Sequence, residues 1–483
     1  MKMFLTCIFI LSGLFLISDP QAQTPCENGY ADIYPCSGFD LSSHFTLEEL
    51  GGGVKGNDCW GWTHEESGRE FVLYCRSIGL SVVEISDPSS PVFTAVLPSA
   101  ALESTWRDVK VLGDYAYIVS MAEGHGMQIL ELTQLLDISD FPTLLSESAH
   151  YSGFSFAHNF AINEATQFGY AVGTDQYAEG VFIVDLDDPL QPALVGSYDE
   201  SPTHDVQSIV YDGPDVDYIN SELVFCFNGD NVTILNADDK SDIQVLSVIP
   251  NPQAVYIHQG WVSEDHSMLY YNDEQDELFS GTNTRTFVMD ISDLNNPVNQ
   301  GFFEYETEST DHNLYVHNGL VYASNNSSGL RVSTIFEDGS LDSYGFFDTY
   351  VEDDASGFTG TWSNYPFFPS KNIAVSNRDG LFILRASEDY IGIENSELIP
   401  CDLIVAPNPT CSSSITISGP YTNCDLSICD LRGVEVFRLN GTSFQNELTI
   451  DLSSIHRGAY LIRLTDVKSG EVKAIEKFIL SAK

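Results

Sequence analysis

A short strand-like phrase recurs seven times between residues 55 and 390, and this repeat limits the possible folds more than any other feature of the chain. Each copy is a β-prone apolar run that ends in an acidic or polar residue, often followed by Asp-Pro and a second run. The fifth residues of successive copies lie 47, 54, 51, 54, 44 and 51 positions apart. A period near 50 with several strands per unit is typical of a β-propeller blade. The copies begin at Ser81, Gln128, Phe182, Thr233, Phe287, Arg331 and Phe382.

Each unit repeats one internal order of strand-like runs. A first run carries His, Asp or Trp, and an aromatic run, the repeated phrase and an outer run follow it. Long helical periodicity is absent from the sequence, so we predict an all-β protein with a seven-bladed β-propeller. The last phrase has no outer run after it, and we predict that the free run from Phe39 to Leu47 completes the seventh blade. A stack of β-sandwich modules is the alternative, but each module would need about 100 residues.

The charge of the chain excludes some classes of partner. Lys and Arg number 20 against 70 Asp and Glu, which gives a formal net charge of -50. Residues 402–483 are almost neutral, whereas residues 1–401 hold nearly all of this charge. Because phosphate binding needs a basic surface, we predict no nucleic-acid partner. Apolar residues make up 43% of the chain, so we expect a packed core beneath an acidic surface.

The N-terminus has the layout of a secretory signal peptide. A basic start at Lys2 precedes an apolar run and a polar, small-residue exit, with cleavage predicted after Ala22. The run is shorter than the ~20 residues of a membrane span, and no other segment is apolar enough to cross a bilayer. We therefore expect an exported protein with no transmembrane segment once residues 1–22 are removed. An N-terminal extension over residues 23–37 would then precede the propeller.

The ten cysteines fit an oxidising compartment, where disulfides persist. Two local pairs are predicted, Cys26 with Cys36 and Cys59 with Cys75. The sequence has no paired CxxC motifs with histidines, so we do not expect a structural zinc site.

One set of polar and aromatic residues recurs at the start of the first run of each unit. The innermost strand of a propeller blade lines the central channel, so these sets are expected to form a ring around one mouth. Such residues can bind a polar ligand or a divalent cation, and tryptophans offer faces for stacking. They can instead satisfy buried polar groups and tie neighbouring blades together. The candidate ring consists of Asp58, Trp60, Trp106, Arg107, Asp108, His158, Asn159, His204, Asp205, His258, Gln259, Asp311, His312, Asn313 and Trp362.

Two groups of residues are candidate ligands for a divalent cation, the one cofactor that we consider. The acidic run at residues 272–277 contains Asp273 and Asp276, whose oxygen atoms suit Ca²⁺. Because this run lacks the EF-hand spacing, a solvated loop is the alternative. No nucleophile elbow, HExxH motif or phosphate loop occurs, so no catalytic residue is assigned. The histidine candidates come from four successive units and are His158, His204, His258 and His312.

Several motifs fall in one order across residues 38–388. They are Asn57 to Trp62, Trp106 to Asp108, Thr203 to Asp205, His258 to Trp261, Asn283 to Thr286, Asp311 to Leu314 and Phe367 to Ser370. This ordered set resembles the choice-of-anchor B family, and the repeated phrases resemble LVIVD repeats. The resemblance implies a secreted or surface propeller whose members differ in their C-terminal anchoring signals, and it supplies no catalytic residues. Thr334 and Arg385 replace the acidic residue of the phrase, which weakens a functional role for that position.

Residues 402–483 form a separate unit beyond a linker at residues 389–401. Six or seven strand-like runs in about 80 residues predict a small immunoglobulin-like β-sandwich. The unit resembles the type A sorting domain of the bacterial type IX secretion system, which implies that this machinery is a partner. An ordinary adhesive sandwich is the alternative. The motifs that carry the resemblance are Pro407 to Pro409, Asp430 to Gly433, Asp451 to Ser453, Gly458 to Tyr460 and the basic residues Lys473 and Lys477 of the last run.

Three functions remain open from the sequence. The first, which we favour, is a non-enzymatic propeller that binds an unknown ligand, glycan or protein. It would be secreted by a Gram-negative bacterium or held at its outer-membrane surface. The second is a divalent-metal-dependent hydrolase that acts at the ring of His and Asp residues. The third is a purely structural envelope protein.

Overall fold

The predicted signal peptide, residues 1–22, and the predicted linker, residues 389–401, lie outside the described part of the chain. No helix in the described part is long and apolar enough to cross a membrane. The computed structural model describes residues 23–387, 403–406, 414–419, 421–430, 435–444, 447–453, 455, 458–468 and 472–480.

Residues 23–387 consist almost entirely of strands joined by turns. One short helix, α1 (Asp276–Ser280), and three 3-10 turns at Leu132–Asp137, Tyr177–Glu179 and Val216–Tyr218 interrupt them. The strands are β1 (Tyr30–Ala31), β2 (Tyr34–Ser37), β3 (Phe39–Thr46), β4 (Gly56–Thr63), β5 (Glu70–Arg76), β6 (Gly79–Glu84), β7 (Val92–Pro98), β8 (Arg107–Leu112), β9 (Tyr115–Ser120), β10 (Met127–Glu131), β11 (Thr143–Leu144), β12 (Ala149–Tyr151), β13 (Asn159–Asn163), β14 (Phe168–Val172), β15 (Val181–Asp185), β16 (Ala193–Tyr198), β17 (Asp205–Val210), β18 (Glu222–Phe227), β19 (Asn231–Asn236), β20 (Gln244–Pro250), β21 (Ile257–Val262), β22 (Met268–Asp273), β23 (Arg285–Asp290), β24 (Val298–Glu304), β25 (Leu314–His317), β26 (Leu320–Asn325), β27 (Gly329–Ile335), β28 (Leu341–Phe347), β29 (Thr361–Tyr365), β30 (Asn372–Asn377) and β31 (Gly380–Ala386).

Within residues 23–387 these strands pair into seven sheets. Each sheet contains a set of four antiparallel strands, with a first strand on one side and an outer strand on the other. On the first sheet β11 adds a parallel strand beside β7, and on the sixth sheet β2 and β1 extend the set beyond β28. The sets of four are β4 to β7, β8 to β10 with β12, β13 to β16, β17 to β20, β21 to β24, β25 to β28, and β29 to β31 with β3.

The repeated phrase forms the third strand of its sheet, where both faces are covered. In β15 the first four residues are buried and Asp185 lies at the partly exposed end. Because side chains alternate between the two faces of a strand, Phe182 and Val184 join one hydrophobic core while Val181 and Ile183 join the next. This two-sided burial explains why the phrase is apolar at successive positions.

The first strands of the seven sheets contact one another in a cycle, in which β29 of the last sheet contacts β4 of the first. The last sheet is completed by β3, which pairs antiparallel with β31 from Phe39–Ala386 to Thr46–Gly380. The predicted pairing of this early run with the last phrase is therefore confirmed. The strand covers the edge that β31 would otherwise expose. The fold is all-β and propeller-like, as predicted.

One of the two predicted disulfides forms within the described residues. Cys26 and Cys36 are bonded, as expected. Cys59 and Cys75 are both free and buried, so the prediction that they pair is wrong. Cys59 lies opposite Tyr74 in the register of β4 and β5, so the next residue, Cys75, points to the other face of the sheet. Cys59 and Cys75 consequently pack in different cores.

The described residues beyond position 402 form two antiparallel sheets. One contains three strands and the other four, and both contribute buried residues such as Ile417 and Ile462 to one core. The strand-rich composition predicted for this part is therefore confirmed. Its strands are β32 (Ile404–Ala406), β33 (Ser414–Ser418), β34 (Tyr421–Asp430), β35 (Glu435–Phe444), β36 (Glu447–Asp451), β37 (Gly458–Asp466) and β38 (Val472–Leu480).

Candidate functional site

Four histidine rings lie in a row near the starts of β13, β17, β21 and β25, and neighbouring rings are tilted against each other. The ring centroids of His158 and His204 are 4.2 Å apart, those of His204 and His258 4.6 Å, and those of His258 and His312 4.1 Å. Trp362 in β29 continues the row, with its ring centroid 4.1 Å from that of His312. Five consecutive sheets therefore each place one ring at the same end of the first strands. We call this place the histidine end.

Burial keeps the four imidazoles neutral near pH 7. Removal from solvent lowers the pKa of His158 to about 4 and the pKa of His312 to about 3. Burial and then the neighbouring histidines hold the pKa of His204 and of His258 well below the ordinary value. A neutral imidazole keeps a nitrogen lone pair, which is the form that binds a metal ion.

Hydrogen bonds orient two of these rings. Nδ1 of His312 donates to the carbonyl oxygen of Trp362 at 2.7 Å and so joins the sixth sheet to the seventh. Nδ1 of His204 lies 3.0 Å from the hydroxyl oxygen of Tyr256. Nε2 of His204 has no hydrogen-bond partner within the described part of the chain. The second nitrogen of His204 is thus available to a ligand.

His204, His258 and Glu274 bring three possible metal-ligand atoms together. One such atom from each residue lies within 4.8 Å of the other two, and Nε2 of His258 is 3.9 Å from Oε2 of Glu274. Glu274 follows β22, the strand that pairs with β21 and its His258. Burial raises the pKa of Glu274 to about 7. Of the four predicted histidine ligands, His204 and His258 belong to this group, while the other two lie beside it.

The acidic run after β22 is buried, so its interpretation as a solvated loop is wrong. Asp273 accepts hydrogen bonds from three backbone N–H groups, including those of Tyr256 and Gln275. Asp276 forms a buried ion pair with Arg285. Both predicted calcium ligands therefore already hold structural partners, because the run folds back against the sheet instead of entering solvent.

Two further carboxylates are buried, one at the end of this run and one beside it. Glu277 is 4% exposed and Asp311 is 1% exposed, and their four carboxylate oxygens have no hydrogen-bond partner among the residues that the structure describes. The side-chain amide of Asn272 donates to the carbonyl oxygen of His312, which places the acidic run against the segment that carries Asp311. Burial, followed by repulsion from neighbouring carboxylates, raises the pKa of Glu277 and of Asp311.

Other ring candidates tie neighbouring sheets together. Oδ2 of Asp108 accepts a hydrogen bond from the N–H of Phe160 at 2.7 Å, and Oε1 of Gln259 accepts one from the N–H of Leu314 at 2.8 Å. These bonds join the second sheet to the third and the fifth to the sixth. They satisfy buried backbone groups, which supports the structural interpretation for Asp108 and Gln259.

The side-chain amides of two ring candidates, Asn159 and Asn313, also form hydrogen bonds within the protein. Nδ2 of Asn159 donates to Oδ2 of Asp205 at 2.9 Å, joining the third sheet to the fourth. Nδ2 of Asn313 donates to the hydroxyl oxygen of Tyr315 at 3.3 Å. Burial raises the pKa of Asp205 to about 7. Both amides are therefore already engaged within the protein.

A buried ammonium group lies between two of the ring carboxylates. Nζ of Lys110 is 2.9 Å from Oδ2 of Asp58 and 2.5 Å from Oδ1 of Asp108, and it lies 4.6 Å from the centroid of the Trp60 ring. Burial alone would lower the pKa of Lys110, but the two carboxylates raise it well above the ordinary value. Burial raises the pKa of Asp58 to about 7 even though Lys110 opposes this shift.

The predicted pair Trp106 and Arg107 has two different environments. The guanidinium of Arg107 donates to the carbonyl oxygen of Arg76 at 3.1 Å and to the hydroxyl of Ser99 at 2.8 Å. It also lies 2.7 Å from Nε2 of His125. Arg107 therefore holds the first and second sheets together, whereas Trp106 is half exposed.

A cavity of about 430 Å³ lies further along the first strands, and all seven sheets contribute to its lining. The Trp60 ring is 5.0 Å from the Tyr365 ring, and the Trp261 ring is 5.1 Å from the Tyr315 ring, measured between centroids. Amide and carboxyl groups complete the wall. We call this place the aromatic end. Its lining includes Trp60, Lys110, Asn159, Glu164, Asp205, Gln207, Gln259, Trp261, Asn313, Tyr315, Tyr365 and Phe367.

Sequence reasoning missed most of the aromatic residues, and although it singled out the acidic run at residues 272–277, it did not group Glu274 of that run with the histidines. Trp261 and Tyr315 stand two positions after the ring candidates Gln259 and Asn313, and residues two apart share one face of a strand. That alternation was the signal that could have found them. Glu274 comes from a loop and has no repeated counterpart that would reveal it.

Several solved structures are similar to this chain at low identity. PorZ, an essential surface component of the type IX secretion system of Porphyromonas gingivalis, is 12% identical over 87% of this chain and 59% of its own, with a TM-score of 0.47. The periplasmic gluconolactonase PpgL of Pseudomonas aeruginosa is 11% identical over 68% of this chain and 88% of its own, with a TM-score of 0.45. This chain therefore spans about 59% of the length of PorZ.

Two sequence families match parts of the chain, and no curated protein matches it significantly. Residues 76–96 and 105–127 match the LVIVD repeat. Residues 405–481 match the secretion system C-terminal sorting domain, the tail handled by the type IX secretion system. The chain thus contains LVIVD repeats and has a propeller-like all-β fold, and its sorting tail marks it as secreted or held at the cell surface.

Proposed function

We propose that this protein is a seven-bladed propeller of the choice-of-anchor B type that binds a carbohydrate at the aromatic end of its channel. The observation that carries the binding role is the cavity of about 430 Å³, in which clustered aromatic rings face amide and carboxyl groups. Ligand pockets commonly combine such apolar surfaces with a few polar groups that fix orientation.

The chemistry of the cavity favours sugars over purely apolar ligands. Trp60, Trp261 and Tyr365 are partly exposed and offer ring faces on which a pyranose can stack. Glu164 lines the same cavity and can accept hydrogen bonds from hydroxyl groups, and the amide nitrogen of Gln207 can donate to them. An aromatic platform with acceptors at its rim matches the alternating apolar faces and polar edges of a sugar ring.

The net negative charge of the chain limits the class of carbohydrate that we expect to bind. The chain carries a formal net charge of -50, almost all of it within residues 1–401. A surface of this sign repels anionic ligands and attracts cations. We therefore expect neutral or amino sugars to bind, and sulfated or sialylated glycans not to bind.

The proposed organisation assigns each part of the chain a role in delivery. Residues 1–22 are a signal peptide, residues 38–388 the propeller and residues 402–483 an immunoglobulin-like sorting sandwich. The type IX machinery of a Gram-negative bacterium reads the sandwich and leaves the propeller outside the cell. The sorting-domain match at residues 405–481 supports this route.

A glycan array followed by calorimetric titration of the best binder tests the proposal on the mature chain. Trp261→Ala is expected to weaken binding by about tenfold or more, because it removes one stacking face. Trp106→Ala is the matched control, since Trp106 is half exposed near the histidine end. It should bind like the parent protein.

Two results would overturn the proposal. Absence of binding to every neutral or amino glycan would remove the function, and unchanged affinity in Trp261→Ala would remove the site. A purely structural envelope protein predicts the first of these results. The metal-dependent hydrolase requires a metal centre at the histidine end.

A further inference from the structure

We propose that the histidine end holds a divalent transition-metal ion, with His204, His258 and Glu274 as its protein ligands. This site lies near the starts of the first strands, whereas the carbohydrate cavity lies further along them. The inference therefore stands apart from the proposed function.

The spacing of the three side chains suits one ion. Zinc–nitrogen and zinc–oxygen bonds of about 2.0–2.2 Å place two tetrahedral ligands roughly 3.4 Å apart. The three ligand atoms are already within 4.8 Å of one another, and the His258–Glu274 pair is at 3.9 Å. Small side-chain rotations are enough to bring them to bonding distance.

The surroundings of His204 leave one ring nitrogen for a metal ion. Nδ1 lies 3.0 Å from the hydroxyl oxygen of Tyr256, and Nε2 has no hydrogen-bond partner within the described residues. Because buried polar atoms are usually paired, an unpartnered imidazole nitrogen points to a ligand. When Nδ1 carries the ring proton, Nε2 keeps the lone pair that binds a metal ion.

Two neighbouring carboxyl groups are buried without partners. Glu277 and Asp311 are buried, and their oxygens lack hydrogen-bond partners in the part of the chain that is described. Asp311 interacts electrostatically with Glu274 and with other residues of the acidic run. A buried carboxyl group is neutral unless a cation compensates its charge, and a divalent ion at Glu274 would favour the ionised form of these neighbours.

The ligand set indicates the class of metal. Calcium takes six to eight oxygen ligands, whereas two imidazoles and one carboxylate suit Zn²⁺, Fe²⁺ or Ni²⁺. Three protein ligands leave a coordination position for water or a ligand group. His204 also lines a cavity of about 410 Å³ together with His158, Glu179 and Tyr256, which gives that position room.

Zinc titration of the full chain, after treatment with a chelator, tests the proposal. We expect one Zn²⁺ per chain by elemental analysis and calorimetry. Replacement of the ion by Co²⁺ should give the visible absorption of a low-coordinate cobalt site. Glu274→Gln and His258→Ala should each lower zinc affinity by about 100-fold or more, since loss of a second-shell group alone commonly costs 10–100-fold.

His150→Ala is the matched control, because His150 is an exposed histidine outside the group of three. This variant should bind zinc as tightly as the parent. Thermal melts in chelator identify any variant that fails to fold, and Tyr256→Phe then serves as a milder variant, with a loss of about tenfold expected. The proposal is overturned if the parent chain binds no stoichiometric zinc. It is also overturned if Glu274→Gln binds as tightly as the parent, or if His150→Ala loses binding equally.

Discussion

At the scale of single residues, the buried ammonium group of Lys110 forms ion pairs with two carboxylates of the channel, those of Asp58 and Asp108. Asp108 also accepts hydrogen bonds from the backbone N–H groups of Val109 and Phe160. Asp58 relies on Lys110 alone for an ion pair, and its Oδ1 has no hydrogen-bond partner within the described residues. Asp58 is therefore the member of this group whose ionisation opposes folding.

Asp58→Asn is expected to flatten the pH dependence of stability between about pH 4 and pH 7. Burial raises the pKa of Asp58 from 3.8 to about 7, so in this window the folded state holds a proton that the unfolded chain has released. The stability of the parent protein therefore falls as pH rises, by up to about 1.4 kcal/mol per pH unit from this group. Urea unfolding at several pH values measures the slope.

Asp140→Asn provides the comparison, because Asp140 is exposed. Its unfolding free energy should follow that of the parent protein at every pH. Parallel slopes in the parent and in Asp58→Asn would show that burial of this carboxylate does not oppose folding.

At the scale of elements, a structural feature could be predicted where its sequence pattern lies within one strand. The phrase beginning at Phe182 predicted a third strand, because a strand that is buried on both faces has apolar residues at consecutive positions. The completion of the last sheet by β3 was predictable because one outer run was missing. The predicted disulfide between Cys59 and Cys75 was wrong, because the face of the sheet on which each thiol lies depends on the register of two strands.

The same distinction applies to the group of three residues at the histidine end. His204 and His258 were found because they recur at equivalent positions of their units. Their grouping with Glu274 was not predictable, since it depends on how the acidic run folds back against β21 and β22. The burial of that run likewise follows from tertiary contacts such as the Asp276–Arg285 pair, which have no repeat in the sequence.

Replacing both Cys26 and Cys36 by Ser is expected to lower the free energy of unfolding by about 2–3 kcal/mol. The bond closes a short loop, with a sequence separation of 10, and β2 pairs through Cys36 with β28 of the sixth sheet. Without the bond, the unfolded chain gains entropy and the extension is less firmly held on that sheet. Denaturant unfolding with and without reductant measures the effect.

Reductant should destabilise the parent protein and leave the double variant unchanged. Equal unfolding midpoints for the parent and the double variant would mean that this disulfide does not stabilise the fold.

At the scale of the whole molecule, we expect the C-terminal tail to direct secretion and the propeller-like part to bind the ligand. Deletion of residues 402–483 should leave the propeller inside the cell envelope, because the sorting domain at residues 405–481 is lost. The truncated chain should resist protease added to intact cells, whereas the full chain should be cleaved or be found in the medium. Surface exposure of the truncated chain would contradict this role of the tail.

The pairing of β3 with β31 closes the ring of sheets by joining two strands that lie near opposite ends of residues 23–387. Because loop closure over such a long stretch of chain carries a large entropic barrier, we expect this strand pair to form late and slowly in folding. Until it forms, β31 keeps a row of unpaired backbone groups that another chain can join. A copy that ends before residue 380 lacks β31 and leaves β3 and β30 without their partner, so their unpaired backbone groups make this copy an aggregation hazard.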